Sequence, residues 1–285
     1  RSAAALGRVG RHRGGSQPMT DTGDMTIDRI VEPQAQRSGE RGFLAGTAAL
    51  VTGGARRIGR TLCLALARQG ATVVVHYGES EAAAAATVIE LEAFGGQAFK
   101  IQGDLANPDV ASDLVASAAA VAGRPLDILV NNASVFAQGW PGTTSVAEWD
   151  RHQAVNLRAP FILSRSFAGQ VGNGTVGNII NLNDFRAITP GPDHFAYTIS
   201  KAGLHGLTRS LAQAFAPRVR VNELALGAVL APEGAPEDYI HTLRDQIPTG
   251  KFPSLDEVSH AMLFLLGNKA VTGQTIFVDG GRHLA

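Results

Sequence analysis

Tyr197 and Lys201 stand four apart in the run Tyr197-Thr198-Ile199-Ser200-Lys201, a spacing that places two side chains on one helix face, one turn apart. A phenol that titrates near ~10 is a poor acid–base group at neutral pH, and a neighbouring ammonium lowers that value by favouring phenolate. The pair therefore reads as a proton-transfer unit, with Tyr197 giving a proton to an atom that gains charge. A second chemical signal is the turn Thr52-Gly53-Gly54-Ala55-Arg56-Arg57-Ile58-Gly59, which follows an apolar run and opens a helical pattern. Glycines there allow a tight turn and close backbone approach, and a helix N-terminus offers free N–H groups and positive dipole to a pyrophosphate. NAD-specific sites close the second strand with an acid that holds the ribose 2′-OH, whereas here that strand ends in His76-Tyr77-Gly78. Ser80 is placed to donate to a 2′-phosphate, so NADPH is the expected cofactor, with Glu79 the residue that argues the other way.

These groups need a scaffold, and the chain alternates between short aliphatic runs and helical stretches from Thr47 onward. Strands are expected at 48–51, 71–76, 98–101, 126–130, 178–182, 219–224 and 275–278. Helices are expected at 58–68, 81–94, 108–121, 148–170, 196–215 and 255–266. Near-continuous aliphatic strands separated by helices indicate a parallel sheet covered on both faces. The expected fold is a single doubly wound α/β, Rossmann-like domain with a seven-stranded parallel sheet, over residues 43–285. Residues 1–42 differ in composition: the first 18 hold four arginines, four glycines and no acid. An Arg-rich, acid-poor start is shared with organelle transit peptides, but these arginines do not fall on one helical face. The segment reads as a disordered or cloning-derived leader.

Taken in order, these motifs resemble the short-chain dehydrogenase/reductase family over about residues 45–285. The glycine turn has that family's TGxxxGxG spacing with Arg57 in place of the middle glycine, the TGxxxRxG form of the pteridine reductase branch. The resemblance implies a cofactor site built from Gly53, Arg56, Arg57, Ile58 and Gly59 in the turn, with His76, Tyr77 and Ser80 after the second strand. It further implies Asp104 and Leu105 at the adenine, Asn132, Ala133 and Ser134 along the cofactor, and Tyr197 and Lys201 at the nicotinamide ribose. Asn156 would anchor the water chain that resupplies the proton. Thirteen residues before the tyrosine, where the family usually has a serine that donates to a carbonyl, this chain has Asp184. An ionised carboxylate only accepts hydrogen bonds, which suits a substrate with N–H donors or a ring nitrogen to be protonated. Ser134 and Phe136 match the residues of the pteridine branch that bond and stack on the pterin, where stacking adds roughly ~1 kcal/mol beyond burial.

The resemblance thus implies an NADPH-dependent reductase acting on a C=N bond of a pteridine, dihydromonapterin or dihydrofolate, with Arg57, Ser134, Phe136, Asp184 and Tyr197 at the substrate. Asp184, Tyr197, Lys201 and Asn156 form the expected catalytic set. The alternatives are a carbonyl reductase of oxoacyl or sugar type and, further off, a non-catalytic NADP-sensing regulator. At residue level, Arg57 could be a helix-start surface group, Asp184 a turn residue and Phe136 loop packing. Leu226-Gly227 replaces the family's usual Pro-Gly, and 231–253, rich in proline, reads as the variable substrate loop. The balance of 25 basic and 25 acidic residues gives no electrostatic reason to expect nucleic acid or an anionic membrane as partner. No apolar run reaches the ~18 residues of a membrane-spanning helix. The single cysteine, Cys63, fits a buried structural thiol and a reducing cytoplasm. His194, His205 and His241 lack metal-ligand spacing, so they read as surface or helix-face residues and no metal is expected. The last strand resembles one that packs in a homotetramer interface.

Overall fold

Alternate residues of a strand point to opposite faces, and in this chain both sets are apolar. In the computed structural model, Ala49 and Val51 pack into one core layer, while Ala48 and Leu50 pack into another. A strand that buries both faces can only be central, and this one is. The structure describes residues 42–172, 174–231, 234, 236 and 239–285; the expected leader lies outside them except for Gly42. Strands β1 (Ala48–Val51), β2 (Thr72–Tyr77), β3 (Ala98–Gln102), β4 (Ile128–Asn131), β5 (Gly177–Asp184), β6 (Val219–Leu226) and β7 (Thr275–Val278) form one parallel sheet in the order β3-β2-β1-β4-β5-β6-β7. The fold is the expected doubly wound Rossmann-like one.

Helices α1 (Arg57–Arg68) and α2 (Glu81–Glu92) cover one face of the sheet together with α8 (Leu255–Gly267), through Leu62, Leu66, Leu91, Val258 and Met262. Helices α3 (Pro108–Ala122), α5 (Ala159–Gln170) and α6 (Phe195–Phe215) cover the other through Leu114, Leu163, Phe167 and Leu211. Their boundaries follow local chemistry. Asn107 caps α3 by accepting from the Asp109 N–H, with Pro108 in the first turn and Gly123 left-handed beyond the end, the usual asymmetry of start and stop signals. Ser254 and Glu257 form a reciprocal capping box on α8, which satisfies two otherwise orphan N–H groups. Buried Arg220 donates to the carbonyls of Leu265, Leu266 and Val271, closing the far end of the same helix.

The structure corrects the sequence at one functionally placed point. The single helix expected over 148–170 is three pieces: α4 (Val146–Gln153), a π-helical turn at Ala154–Arg158, and α5. One residue more per turn re-aims the side chains within it, a device found often at functional sites, and Asn156 sits in this turn. Strands β5 and β6 also run two residues beyond their expected ends, so Asp184 closes β5 directly. Among the described residues, no helix is long and apolar enough to cross a membrane. In the proline-rich loop, α7 (Tyr239–Thr242) is a single helical turn.

Candidate active site

β1 pairs with β2 on one side and β4 on the other, so the chain's direction of winding reverses at its carboxyl end, where open parallel sheets bind ligands. A cleft of about 710 Å³ opens there. From the turn, Gly53, Arg56, Arg57, Ile58 and Gly59 line it; from the ends of β2 and β3, His76, Tyr77, Ser80, Asp104 and Leu105; and from beyond β4, Asn132, Ala133 and Ser134. All thirteen of these sequence-derived positions therefore converge on one cavity.

The turn is built without room for side chains. Gly53 is left-handed at φ +62°, and a Cβ on Gly59 would stand 2.2 Å from the Gly53 carbonyl oxygen and 2.6 Å from Asn132 Nδ2. Thr52 and Asn132 stitch the turn to β4: the Thr52 hydroxyl accepts from the N–H groups of Asn132 and Ala133, and Asn132 Nδ2 donates to the Thr52 and Gly53 carbonyls. His76 serves from below. Its Nδ1 accepts from the Gly53 N–H at 3.2 Å, so its Nε2 carries the proton given to the Gly103 carbonyl at 3.0 Å. Burial pushes His76 down to about 4, which fixes it as a neutral strut between turn and β3 rather than a charged ligand. Arg57 keeps φ +53°, a backbone that costs a non-glycine residue about 1–2 kcal/mol, and its guanidinium reaches across to the Ala231 carbonyl at 2.6 Å. Asp104 accepts from the Ala106 N–H in a local turn.

At the ends of β4 and β5 the proposed chemical groups meet. Tyr197, buried on α6, donates its phenol hydrogen to Asp184 Oδ2 at 2.9 Å, and Asp184 Oδ1 accepts from the Arg186 N–H. Lys201 Nζ lies 5.6 Å from the Tyr197 ring centroid and donates to the Leu182 carbonyl at 2.7 Å. Phe136 stacks on His194 with ring centroids 4.3 Å apart and meets Tyr197 edge-on at 4.8 Å, while remaining 46% exposed. The Asn156 amide is fully engaged: Oδ1 accepts from the Val135 N–H and the Ser134 hydroxyl, and Nδ2 donates to the Val135 carbonyl and the Ser200 hydroxyl. It thereby locks the Ser134–Phe136 strip to α6.

The electrostatics overturn one expectation. Lys201 was expected to depress the tyrosine, yet burial and then the Asp184 carboxylate hold Tyr197 well above its ordinary value. Burial also pushes Asp184 up, against the Arg186 N–H, Tyr197 and Lys201, which pull it down. Lys201, lowered by burial to about 8, bears the cost of the desolvated site. The phenol is therefore kept as a proton donor, not as phenolate.

The family described as Enoyl-(Acyl carrier protein) reductase matches residues 53–283. The chain belongs to the short-chain dehydrogenase/reductase family. Among curated relatives, the 3-oxoacyl-[acyl-carrier-protein] reductase FabG of Staphylococcus aureus is 33% identical over 241 residues, covering 83% of this chain and 98% of its own. Among solved structures, FolM Alternative dihydrofolate reductase 1 from Brucella canis, complexed with NADP, is 38% identical with a TM-score of 0.79, covering 85% of this chain and 96% of its own. The Brucella suis FolM, also in complex with NADP, is 37% identical with a TM-score of 0.81, covering 85% and 97%.

Several groups in this short-chain oxidoreductase escaped the sequence. Arg151 lines the cleft from α4, but one arginine on a polar helix face carries no signal of its own. Of the histidines read as surface or helix-face residues, His205 lies on a face of α6 and bonds Glu223, and His194, at the start of that helix, is part-buried against Phe136 and Asp193. The His241 side chain lies outside the described residues. Arg186 grips Asp193 through two bonds of 2.8 Å and holds its carboxyl down at about 2. Cys63 is buried, with its thiol pushed up by desolvation. Gly227 packs on the Asp279 backbone, 2.8 Å from where a Cβ would meet its Cα. Among the described residues, no group of three or more His, Cys, Asp or Glu could hold a metal ion.

Proposed function

We propose that this oxidoreductase is an NADPH-dependent reductase of pterins, acting on a C=N bond with Tyr197 as proton donor. The observation that carries the reading is the 2.9 Å contact between the Tyr197 hydroxyl and Asp184, with Phe136 against the tyrosine edge. A carbonyl substrate calls for a hydrogen-bond donor where Asp184 stands; a pterin presents amino and ring N–H groups to an acceptor. The relatives of known structure named as alternative dihydrofolate reductases support the same substrate class.

The cleft fits a dinucleotide. Its floor at Gly53 and Gly59 excludes any Cβ, the N-terminus of α1 faces it, and Arg56 and Ser80 line it and would be the groups to hold a 2′-phosphate. NADPH, when bound, supplies the hydrogen and two electrons that reduce the substrate carbon. The chain's own residues manage the proton. Tyr197 O–H breaks as the substrate N–H forms, the tyrosine oxygen takes its next proton from solvent, and the Asp184 carboxylate, whose charge burial disfavours, orients the phenol by accepting from it. Lys201 keeps two further N–H groups after its bond to Leu182, available to ribose hydroxyls, and its charge offsets the negative charge passing through Tyr197. Phe136 gives a flat ring a stacking surface.

The kinship to an oxoacyl reductase defines the competing reading. Loss of NADPH absorbance should be followed with dihydrobiopterin, dihydromonapterin, dihydrofolate and a short 3-oxoacyl thioester, beside a Tyr197→Phe control. Turnover of a pterin, lost in the control, supports the proposal; turnover of the thioester alone would replace it with carbonyl reduction.

A further inference from the structure

Behind the proposed active site, a carboxylate with no exposed surface sits on the strand next to the sheet's edge. Glu223, on β6, accepts at Oε1 from His205 Nδ1 at 2.5 Å and from the Thr275 hydroxyl at 2.7 Å. Its Oε2 accepts from Asn183 Nδ2 at 3.0 Å and faces the Thr208 hydroxyl, also at 3.0 Å. Four donors and no acceptor surround it, the pattern of an ionised carboxylate whose desolvation is met by hydrogen bonds. Two of those donors, His205 and Thr208, lie on α6, the helix that carries Tyr197 and Lys201. Asn183, on β5, joins the carboxylate to the reacting groups: its Nδ2 also donates to the Lys201 carbonyl, and its Oδ1 accepts from the Asp184 N–H at 2.9 Å.

We infer that Glu223 is a positioning residue for the reaction, bracing α6 against β5 and β7 and supplying the second negative charge that faces the Lys201 ammonium. The inference rests on Tyr197 and Lys201 being the catalytic pair proposed above. The charged and titratable groups facing Lys201 are Asp184 from β5 and Glu223 from β6, with Tyr197 from α6 itself; His205, from α6, faces Glu223. Of the two carboxylates, Asp184 is the one burial disfavours as an anion, and it is bonded to the reacting phenol. Glu223, held by four donors and bonded to no reacting group, is the constant counter-charge. Removing it leaves desolvation of Lys201 less opposed, so the ammonium is lost at lower pH.

The test is the pH profile of kcat/KM for the holoenzyme with the best pterin substrate, comparing wild type, Glu223→Gln and Glu223→Asp. In wild type the alkaline limb is expected near the value of about 8 to which burial lowers Lys201. Glu223→Gln should move that limb down by about one pH unit, a roughly tenfold loss on the alkaline side that closes to about twofold at lower pH. Glu223→Asp should return the limb toward wild type. A uniform loss at every pH, with the limb unmoved, would overturn the inference and leave Glu223 a structural brace. If the glutamine variant does not fold, Glu223→Ala takes its place, and a protein that folds only with a carboxylate at 223 would overturn it equally. Activity surviving in Tyr197→Phe would instead sink the catalytic reading, whichever way the glutamate variants behave.

Discussion

Asp184 sits where burial makes its charge costly, and that cost is tied to its proposed use. A carboxyl whose native pKa is raised above its unfolded value binds more protons folded than unfolded, so its stabilising effect belongs to low pH and is lost as pH rises through the native value. At neutral pH only the penalty remains. Asp184→Asn cannot ionise, and its amide can still accept from the Arg186 N–H while its NH₂ donates to Tyr197. We expect this variant to melt about 2–4 °C higher, the usual equivalent of ~1 kcal/mol in a domain of this size. Its pterin reduction should fall by roughly 10²-fold. Calorimetry showing a lower melting temperature would contradict the assigned burial cost. Tyr197→Phe should lose roughly 10² to 10⁴ in kcat while NADPH titrations change little, because the phenol's bond is to Asp184 and not to the cleft wall. At this scale the sequence named the groups proposed here to do the chemistry, since a Tyr and Lys one turn apart, or an Asp in place of a donor, announce themselves by type and spacing. It gave no role at the site to Glu223, His205 or Asn183. They are distant in the chain, and only the pairing of β5 with β6 and the packing of α6 bring them together. It also misjudged Tyr197, because the burial that raises the phenol most is a product of packing, and the carboxylate bonded to it is Asp184 while Lys201 lies beyond its ring.

The β1–α1 turn works by exclusion. Gly59 opens no space of its own; it allows the first turn of α1 to press on the Gly53 carbonyl and on Asn132, which orients the free N–H groups toward the cleft. Gly59→Ala must push these apart. Forcing a methyl into a tight contact costs about 1–3 kcal/mol, and we expect a lower melting temperature together with roughly tenfold weaker NADPH binding, read from cofactor fluorescence. Destabilisation without weaker binding would mean the helix start can shift without disturbing the site. The strands and most helices were legible because aliphatic runs, glycine stops and caps such as Asn107-Pro108 are local signals. The π-helical turn at Ala154–Arg158 was not. The residues from Glu148 to Gln170 read as helix throughout, and the bonds that accompany the extra residue, from the Asn156 amide to both Val135 and Ser200, are tertiary and have no local signature.

For the whole molecule, the sheet order matters more than any one helix, because the reversal at β1 puts the glycine turn, the ends of β2 and β3 and the segment beyond β4 around one cleft. The βα rhythm foretold that arrangement; how subunits meet is a separate question. β7 closes the sheet with every residue half-exposed, which fits the homotetramer implied by resemblance, and sedimentation velocity at the mass of four chains checks it. Cofactor choice is also a property of the assembled cleft, since Arg56 comes from the α1 start, Ser80 and Glu79 from beyond β2, and Arg151 from α4. Any ligand that binds only the native state stabilises it, by about 2.7 kcal/mol at a hundredfold excess over Kd, or roughly 5 to 10 °C in melting temperature. NADPH should produce a shift of that size, and NADH at the same concentration a clearly smaller one, because the 2′-phosphate is what the basic groups can hold and Glu79 repels. Arg56→Ala should narrow the gap by lowering the NADPH shift and leaving the NADH shift nearly unchanged. Equal shifts from both cofactors in the wild-type protein would show that Glu79 and the arginines cancel, and that the cleft does not discriminate on the 2′-phosphate.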